Sequence, residues 1–182
     1  MMTTPQSNDQ HLWVNWEEYH RLIERLALKV YESGWKFDQV LCLARGGVRP
    51  GDVFSRIFDL PLAILSTSSY REDAGTVRGD LDIAKYMTMT KGPLAGRILL
   101  VDDLADSGVT LDKVTRHLKE NFPDVTEVKS AVIWLKGCSV VRPDYFLDEL
   151  PHNPWIHQPF EDYDGLRPHQ LAAWIKKGEA GK

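Results

Sequence analysis

Apolar residues recur along this chain in two alternating rhythms, short unbroken runs and stripes at helical spacing. Tyr19, Leu22, Ile23, Leu26, Ala27 and Val30 make one stripe on the face of a helix. Asn15 can cap that helix with Glu18 reaching back, Val14 can pack on Tyr19, and Gly34 supplies the stop. Val40 to Ala44 is an apolar run that predicts a buried strand, followed by the permissive turn Arg45-Gly46-Gly47. Pro50 stands where a helix can begin, and Val53, Phe54, Ile57 and Phe58 give that helix a buried face ending before Pro61. Leu62 to Leu65 reads as the next strand.

Between Ser66 and Gly96 the rhythm is lost among charges and five glycines or prolines, which predicts a long excursion of the kind that forms lids, with Met87 to Thr90 able to pair as strand. Ile98 to Val101 restores it as a strand with no polar face. Asp102-Asp103-Leu104-Ala105-Asp106-Ser107-Gly108-Val109-Thr110 follows, and then Leu111, Val114, Leu118 and Phe122 recur at helical spacing. Val128 to Leu135 is a further buried strand, ending at Lys136-Gly137. This strand and helix alternation predicts an α/β architecture, a mostly parallel sheet flanked by helices. Pro143, Pro151, Pro154 and Pro159 then break the pattern, so a small irregular lobe is expected, with a last helix over His169 to Lys177 carrying Trp174 on its apolar side.

Composition narrows the function. At 182 residues, 43% hydrophobic and 26% charged, the chain suits one globular domain with a core. A net charge of −4 gives no broad attraction for nucleic acid or anionic membrane. No apolar run reaches the roughly 18 residues of a membrane span and Met1 to His11 lacks the apolar core of a signal peptide, so no membrane partner and a cytoplasmic location are expected. Cys42 and Cys138 are expected as reduced thiols, and His152, His157 and His169 as surface residues.

The chemistry lies at the ends of the predicted strands, where ligands of open parallel sheets bind. A turn opening into a helix presents unpaired N–H groups that suit a phosphate. The acidic pair Asp102 and Asp103 repels phosphate and suits a neighbouring polyol or a hydrated divalent cation instead. Arg45 with two glycines suits a diphosphate. Together these features predict a sugar phosphate ligand.

The residues from Asp102 to Thr110 resemble the 5-phosphoribosyl 1-diphosphate signature of the type I phosphoribosyltransferases. Leu43-Ala44-Arg45-Gly46-Gly47-Val48-Arg49-Pro50-Gly51 resembles their diphosphate loop, and Ser68-Ser69-Tyr70 the start of their flexible loop. Lys136 and Trp155-Ile156-His157-Gln158-Pro159-Phe160 are similar to the purine-recognising lysine and the hood of the bacterial xanthine-guanine members. The likeness runs from about Trp16 to Asp164.

The resemblance implies a type I phosphoribosyltransferase core over 12–142 and a C-terminal hood and final helix over 143–177, while composition predicts flexible ends at 1–11 and 178–182. It implies transfer of a phosphoribosyl group to a 6-oxopurine (xanthine, guanine or hypoxanthine), with Mg2+ as cofactor and a homodimer or homotetramer as the assembly. Arg45 and Gly46 are then expected at the diphosphate, through a cis peptide common in that family. Asp103, with Asp102, is expected at the ribose hydroxyls, with Asp103 at the magnesium. Leu104, Ala105, Asp106, Ser107, Gly108, Val109 and Thr110 are expected around the 5-phosphate. Asp106 faces the purine imidazole edge as general base or hydrogen-bond acceptor, Lys136 donates to the ring oxygen, Trp155 stacks on the ring and the Ile156 backbone meets the exocyclic position. Arg78, with Lys85 behind it, is the expected lid contact to the diphosphate. The sequence departs from the pattern at Ser107, where threonine is commoner, at Gly137-Cys138, where a proline is missing after the lysine, and in a longer lid.

Two other classes share some of these features. A regulator with the same fold could sense phosphoribosyl diphosphate or nucleotides without turnover, although the acidic balance and the lack of a basic arm argue against a nucleic-acid role and Asp106 argues for chemistry. A phospho-acceptor receiver domain also opens with an apolar run and an acidic pair, but near its start, whereas about a hundred residues precede the pair here.

Overall fold

The computed structural model describes residues 7–8, 10–71 and 78–180. In chain order the elements are β1 (Ser7–Asn8), β2 (His11–Trp13), α1 (Trp16–Glu32), β3 (Gln39–Ala44), α2 (Val48–Phe58), β4 (Leu62–Arg71), β5 (Arg78–Ile83), β6 (Thr88–Met89) and β7 (Gly96–Val101). There follow β8 (Leu104–Ala105), α3 (Val109–Asn121), β9 (Val125–Lys136), β10 (Tyr145–Leu150), β11 (Trp155–His157), α4 (Asp162–Gly165), a 3-10 turn at Pro168–Gln170, and α5 (Leu171–Ala180). None of the described helices is long and apolar enough to cross a membrane. The elements fall into two compact units, residues 21–153 and the described residues up to His20 together with those from Pro154.

The larger unit is built on a sheet in the order β10-β9-β7-β3-β4-β5. The pairs β10 with β9, β9 with β7, β7 with β3 and β3 with β4 are parallel. Strands β3 and β7 are central, and Val40, Leu41, Cys42, Ile98, Leu99, Leu100 and Val101 are completely buried, which is why both read as apolar runs without alternation. Leu111, Val114 and Leu118 of α3 pack into the cluster that holds Leu41, Leu43, Leu65 and Leu100. Burial of each such side chain contributes roughly 1.5–3 kcal/mol.

Helix α1 starts at the reciprocal cap its sequence predicts: Glu18 N–H donates to Asn15 Oδ1 at 2.9 Å and Asn15 N–H to Glu18 Oε2 at 3.0 Å. It stops short of Gly34, whose φ is +74°. Helix α2 begins at Val48, two residues before Pro50, which sits in the first turn where its missing N–H costs nothing. Ile57 is 55% exposed rather than part of the buried face, because α2 turns only Phe54 and its glycine and proline fully inward.

The excursion after Leu65 is strand where a loop is expected. Strand β4 continues to Arg71 and pairs antiparallel with β5, with a register shift between Ser69 and Arg71, while β6 pairs with β4 at Ala63 and Ile64. Glycine and charged residues crowd the sequence between Arg71 and Asp82, so the period that marks a strand is missing from it. Residues 72–77 of the expected lid lie outside the described residues.

Beyond residue 142, within the span expected for the hood, β10 adds a parallel edge strand to the main sheet. Pro143 and Pro151 bracket β10 rather than break it, and an edge position tolerates them.

In the smaller unit β11 pairs parallel with β2, and β1 antiparallel with β2. Within the end expected as flexible over 1–11, Ser7, Asn8 and His11 are strand residues, and residues 1–6 and 9 lie outside the described residues. His157 is half-buried and not a bare surface residue, since its ring meets His11 at 2.9 Å and stacks on Trp13 at 4.5 Å. Helix α5 runs to Ala180, past the expected end at Lys177, and Trp174 is 43% exposed on it. Of the expected flexible end over 178–182, residues 178–180 are helical and residues 181 and 182 lie outside the described residues.

Candidate active site

Three neighbouring strands, β3, β7 and β9, deliver their C-terminal ends to one edge of the sheet, and each carries a predicted site segment. Helix α2 follows β3 through Arg45, Gly46 and Gly47, and the Ala44–Arg45 peptide is cis. Gly47 N–H donates to Leu43 O at 2.9 Å and Val48 N–H to Arg45 O at 3.2 Å, which folds the loop tightly over its own strand.

After β7 the chain steps out at Asp102 and Asp103 and rejoins the ladder as β8. Leu104 pairs with Trp134 and Ala105 with Leu135, in the register that Val101 and Ala131 leave off. Asp103 O accepts the Ile133 and Trp134 N–H groups at 3.0 and 3.2 Å, so the acidic doublet is held by its backbone. The pairing offset is the same on both sides of the step, so no residue is inserted, and the doublet's side chains are freed from the ladder while the pairing on either side stays intact.

The two carboxylates face different surroundings. Asp102 Oδ1 accepts the Asp103 N–H at 3.0 Å, and the Gly47 N–H also lies close to this carboxyl group. Enclosure of the group, and then the charge of Asp103, push its pKa well above the usual carboxylate range, against those two N–H dipoles. The Asp103 carboxylate instead lies against Gly46: a Cβ on that glycine would meet Asp103 Oδ1 at 2.5 Å. Beneath them the Cys42 thiol is raised to about 12, chiefly by burial and next by Asp102.

The turn after β8 leads into α3 through Gly108, whose φ is +75° and which stands at the N-cap. That backbone suits glycine, and a Cβ there would also strike Ser139 Oγ at 2.4 Å. Val109 and Thr110 form the first turn of α3 with N–H groups that the helix itself does not use. Asp106 is exposed ahead of this turn, and its Oδ1 lies 3.3 Å from Lys136 Nζ at the end of β9.

Arg45, Gly46, the segment from Asp102 to Thr110, and Lys136 are therefore brought to one edge of one unit. Trp155 and Ile156 stand on β11 in the other unit, Trp155 59% exposed and Ile156 buried, with the Trp155 N–H donated to Gln10 O. Arg78 is placed by its backbone at the start of β5, and its side chain lies outside the described residues. Lys85 sets its ammonium 5.4 Å from the Tyr86 ring centroid. Cys138 was not singled out by its residue type, yet its Sγ lies 3.5 Å from Asp106 O; its place two residues after Lys136 was the one signal available.

No group of three or more His, Cys, Asp or Glu able to hold a metal occurs among the described residues. The acidic doublet beside Gly46 fits a magnesium ion bound by one or two carboxylates, with the substrate's phosphates and water completing its shell.

Comparison with known proteins agrees with this geometry. Residues 15–164 match the family model described as phosphoribosyl transferase domain. The chain is 28% identical over 155 residues to the xanthine-guanine phosphoribosyltransferase of Idiomarina loihiensis, covering 85% of this chain and 89% of that one. It is 30% identical over 149 residues to the enzyme of the same name from Nitratidesulfovibrio vulgaris, covering 81% and 83%. The solved xanthine-guanine-hypoxanthine phosphoribosyltransferase of Helicobacter pylori superposes with a TM-score of 0.69 at 27% identity, over 85% of this chain and 96% of that one. With its parallel-stranded sheet core, its Arg45-Gly46-Gly47 turn and its acidic doublet ahead of the N-terminus of α3, this chain belongs to the phosphoribosyltransferase family.

Proposed function

We propose that this chain is a purine salvage enzyme that joins a 6-oxopurine to 5-phosphoribosyl 1-diphosphate, releasing diphosphate and forming the nucleoside monophosphate. The observation that carries this reading is the 3.3 Å approach of Lys136 Nζ to Asp106 Oδ1 ahead of the α3 N-terminus. An ammonium is a donor only and selects a ring oxygen over an amino group, while a carboxylate accepts a proton from the imidazole edge beside it. A 6-oxopurine offers both features side by side, and adenine offers an amino group where Lys136 needs an acceptor. The names of the relatives in Idiomarina and Nitratidesulfovibrio support the same acceptor class.

Each segment has a task in the displacement. The N–H groups at the start of α3, with Ser107 and Thr110, hold the sugar's terminal phosphate. Asp103, with Asp102, faces the ribose hydroxyls, and the loop at Gly46 takes the diphosphate end, with Arg45 offsetting negative charge as it grows on the leaving group. Magnesium, when bound at Asp103, supplies further charge neutralisation to the diphosphate. Asp106 accepts the proton that the purine imidazole loses as its nitrogen bonds to the anomeric carbon.

Incubating the protein with Mg2+, phosphoribosyl diphosphate and, in turn, xanthine, guanine, hypoxanthine and adenine tests the reading. Nucleotide and diphosphate are expected from at least one 6-oxopurine and not from adenine. No turnover on any of the three 6-oxopurines refutes it.

A further inference from the structure

The turn that follows Lys136 is pinned on both sides. Gly137 N–H donates to Leu150 O at 3.0 Å and Cys138 N–H to Asn153 Oδ1 at 3.0 Å, which ties the turn to the end of β10. On the opposite side Val140 N–H donates to Ser107 O at 3.0 Å, within the turn that leads into α3. Between these anchors the Cys138 thiol lies 3.5 Å from Asp106 O and 3.8 Å from Asp106 Oδ1. Lys136 Nζ addresses the same Oδ1 from 3.3 Å. One carboxylate oxygen is thus approached by a donor on a long flexible stem and by a donor on a fixed turn.

Those two donors fare differently when a base arrives. In the reaction proposed above the Lys136 ammonium is drawn to the ring oxygen of the purine, so Asp106 must share it or lose it. The thiol has a short side chain and a backbone held by Asn153, and stays where it is. We propose that Cys138 is a positioning residue, whose thiol keeps the Asp106 carboxylate aimed at the purine imidazole edge while Lys136 engages the base. This inference rests on the transferase reading. It also gives a use to the Gly137-Cys138 pair that stands where a proline is expected after the lysine: a proline at 137 has no N–H to give Leu150.

Steady-state kinetics of the wild type, Cys138→Ala, Cys138→Ser and Ser139→Ala test the assignment. Ser139 is the control, since its hydroxyl donates to Val141 O within the same turn. Cys138→Ala is expected to lower kcat/KM for the base about five-fold, the scale of one weak hydrogen bond, with KM for phosphoribosyl diphosphate unchanged. Cys138→Ser, which keeps a donor on a shorter bond, is expected to recover part of that loss, and Ser139→Ala to show none of it. Wild-type values in Cys138→Ala, an equal loss in Ser139→Ala, or parallel shifts in KM for both substrates overturn the proposal. A wild type without turnover refutes the proposed function as well, which separates the two failures. If Cys138→Ala does not fold, alkylation of the wild-type thiol by iodoacetamide decides: saturating base is expected to slow it several-fold, and an unchanged rate overturns the assignment.

Discussion

Gly46 and Asp103 meet across the gap between two strand ends, with the Asp103 carboxylate occupying the space that a side chain on residue 46 would need. A Cβ at 2.5 Å from a carboxylate oxygen must displace it, and the displaced group is the one proposed to hold magnesium at the diphosphate. Gly46→Ala is therefore expected to weaken Mg2+-dependent binding of phosphoribosyl diphosphate at least about ten-fold, which is about 1.4 kcal/mol. Calorimetry measures this, and an unchanged circular dichroism spectrum shows that the fold is kept.

The acidic doublet is expected to respond unequally to the same chemical change. Asp102→Asn keeps the Oδ1 that accepts the Asp103 N–H, and replaces a group whose charged form its enclosure already disfavours. A loss of less than about three-fold in affinity for the magnesium complex is expected there. Asp103→Asn removes a charge placed against the diphosphate loop, and a loss of about a hundred-fold or more is expected. Titrating both variants with phosphoribosyl diphosphate, with and without Mg2+, checks the order.

Lys136 carries the choice of base. Lys136→Gln leaves a donor but removes the charge, and it leaves Asp106 without its cationic partner. A fall of about ten- to a hundred-fold in kcat/KM for the accepted 6-oxopurine is expected, the scale of a hydrogen bond to a charged group. Competition assays with adenine are expected to show weaker discrimination, because the amide oxygen of glutamine can accept from an amino group.

Cys42 predicts how stability depends on alkaline pH. Its thiol titrates near 9.0 when exposed and at about 12 in the fold, so between those values the native state holds a proton that the unfolded chain has lost. Stability then falls as pH rises from 9 towards 12, and is fully present below 9. Denaturant unfolding of wild type and Cys42→Ala is expected to show a smaller alkaline loss in the variant, and the native thiol at Cys42 should not react with iodoacetamide at neutral pH.

Much of this site could be read from the order of residues. An apolar run, a charged or glycine turn and a helical stripe follow one another at Val40 to Phe58 and again at Ile98 to Leu118, and each transition lies where the main sheet presents its edge. Local chemistry suffices there, because a buried strand must be apolar on both faces and the turn after it must satisfy or expose its backbone. The β4–β5 hairpin and β10 were not legible for the converse reason. Glycine and charges crowd the β5 sequence, and an edge strand between prolines imposes little pattern on its side chains.

What the order of residues determined by itself was which segments bury themselves, which turns can receive an anion, and which family motif they spell. What tertiary structure alone decided was the partition of roles inside those motifs: that Asp102 turns to backbone while Asp103 lies over Gly46, and that Cys138 arrives beside Asp106 from 32 positions away. Burial pattern and turn chemistry act between neighbours in the chain and are written there. The direction a carboxylate faces depends on what the next strand brings alongside it, and only the register of the parallel sheet supplies that.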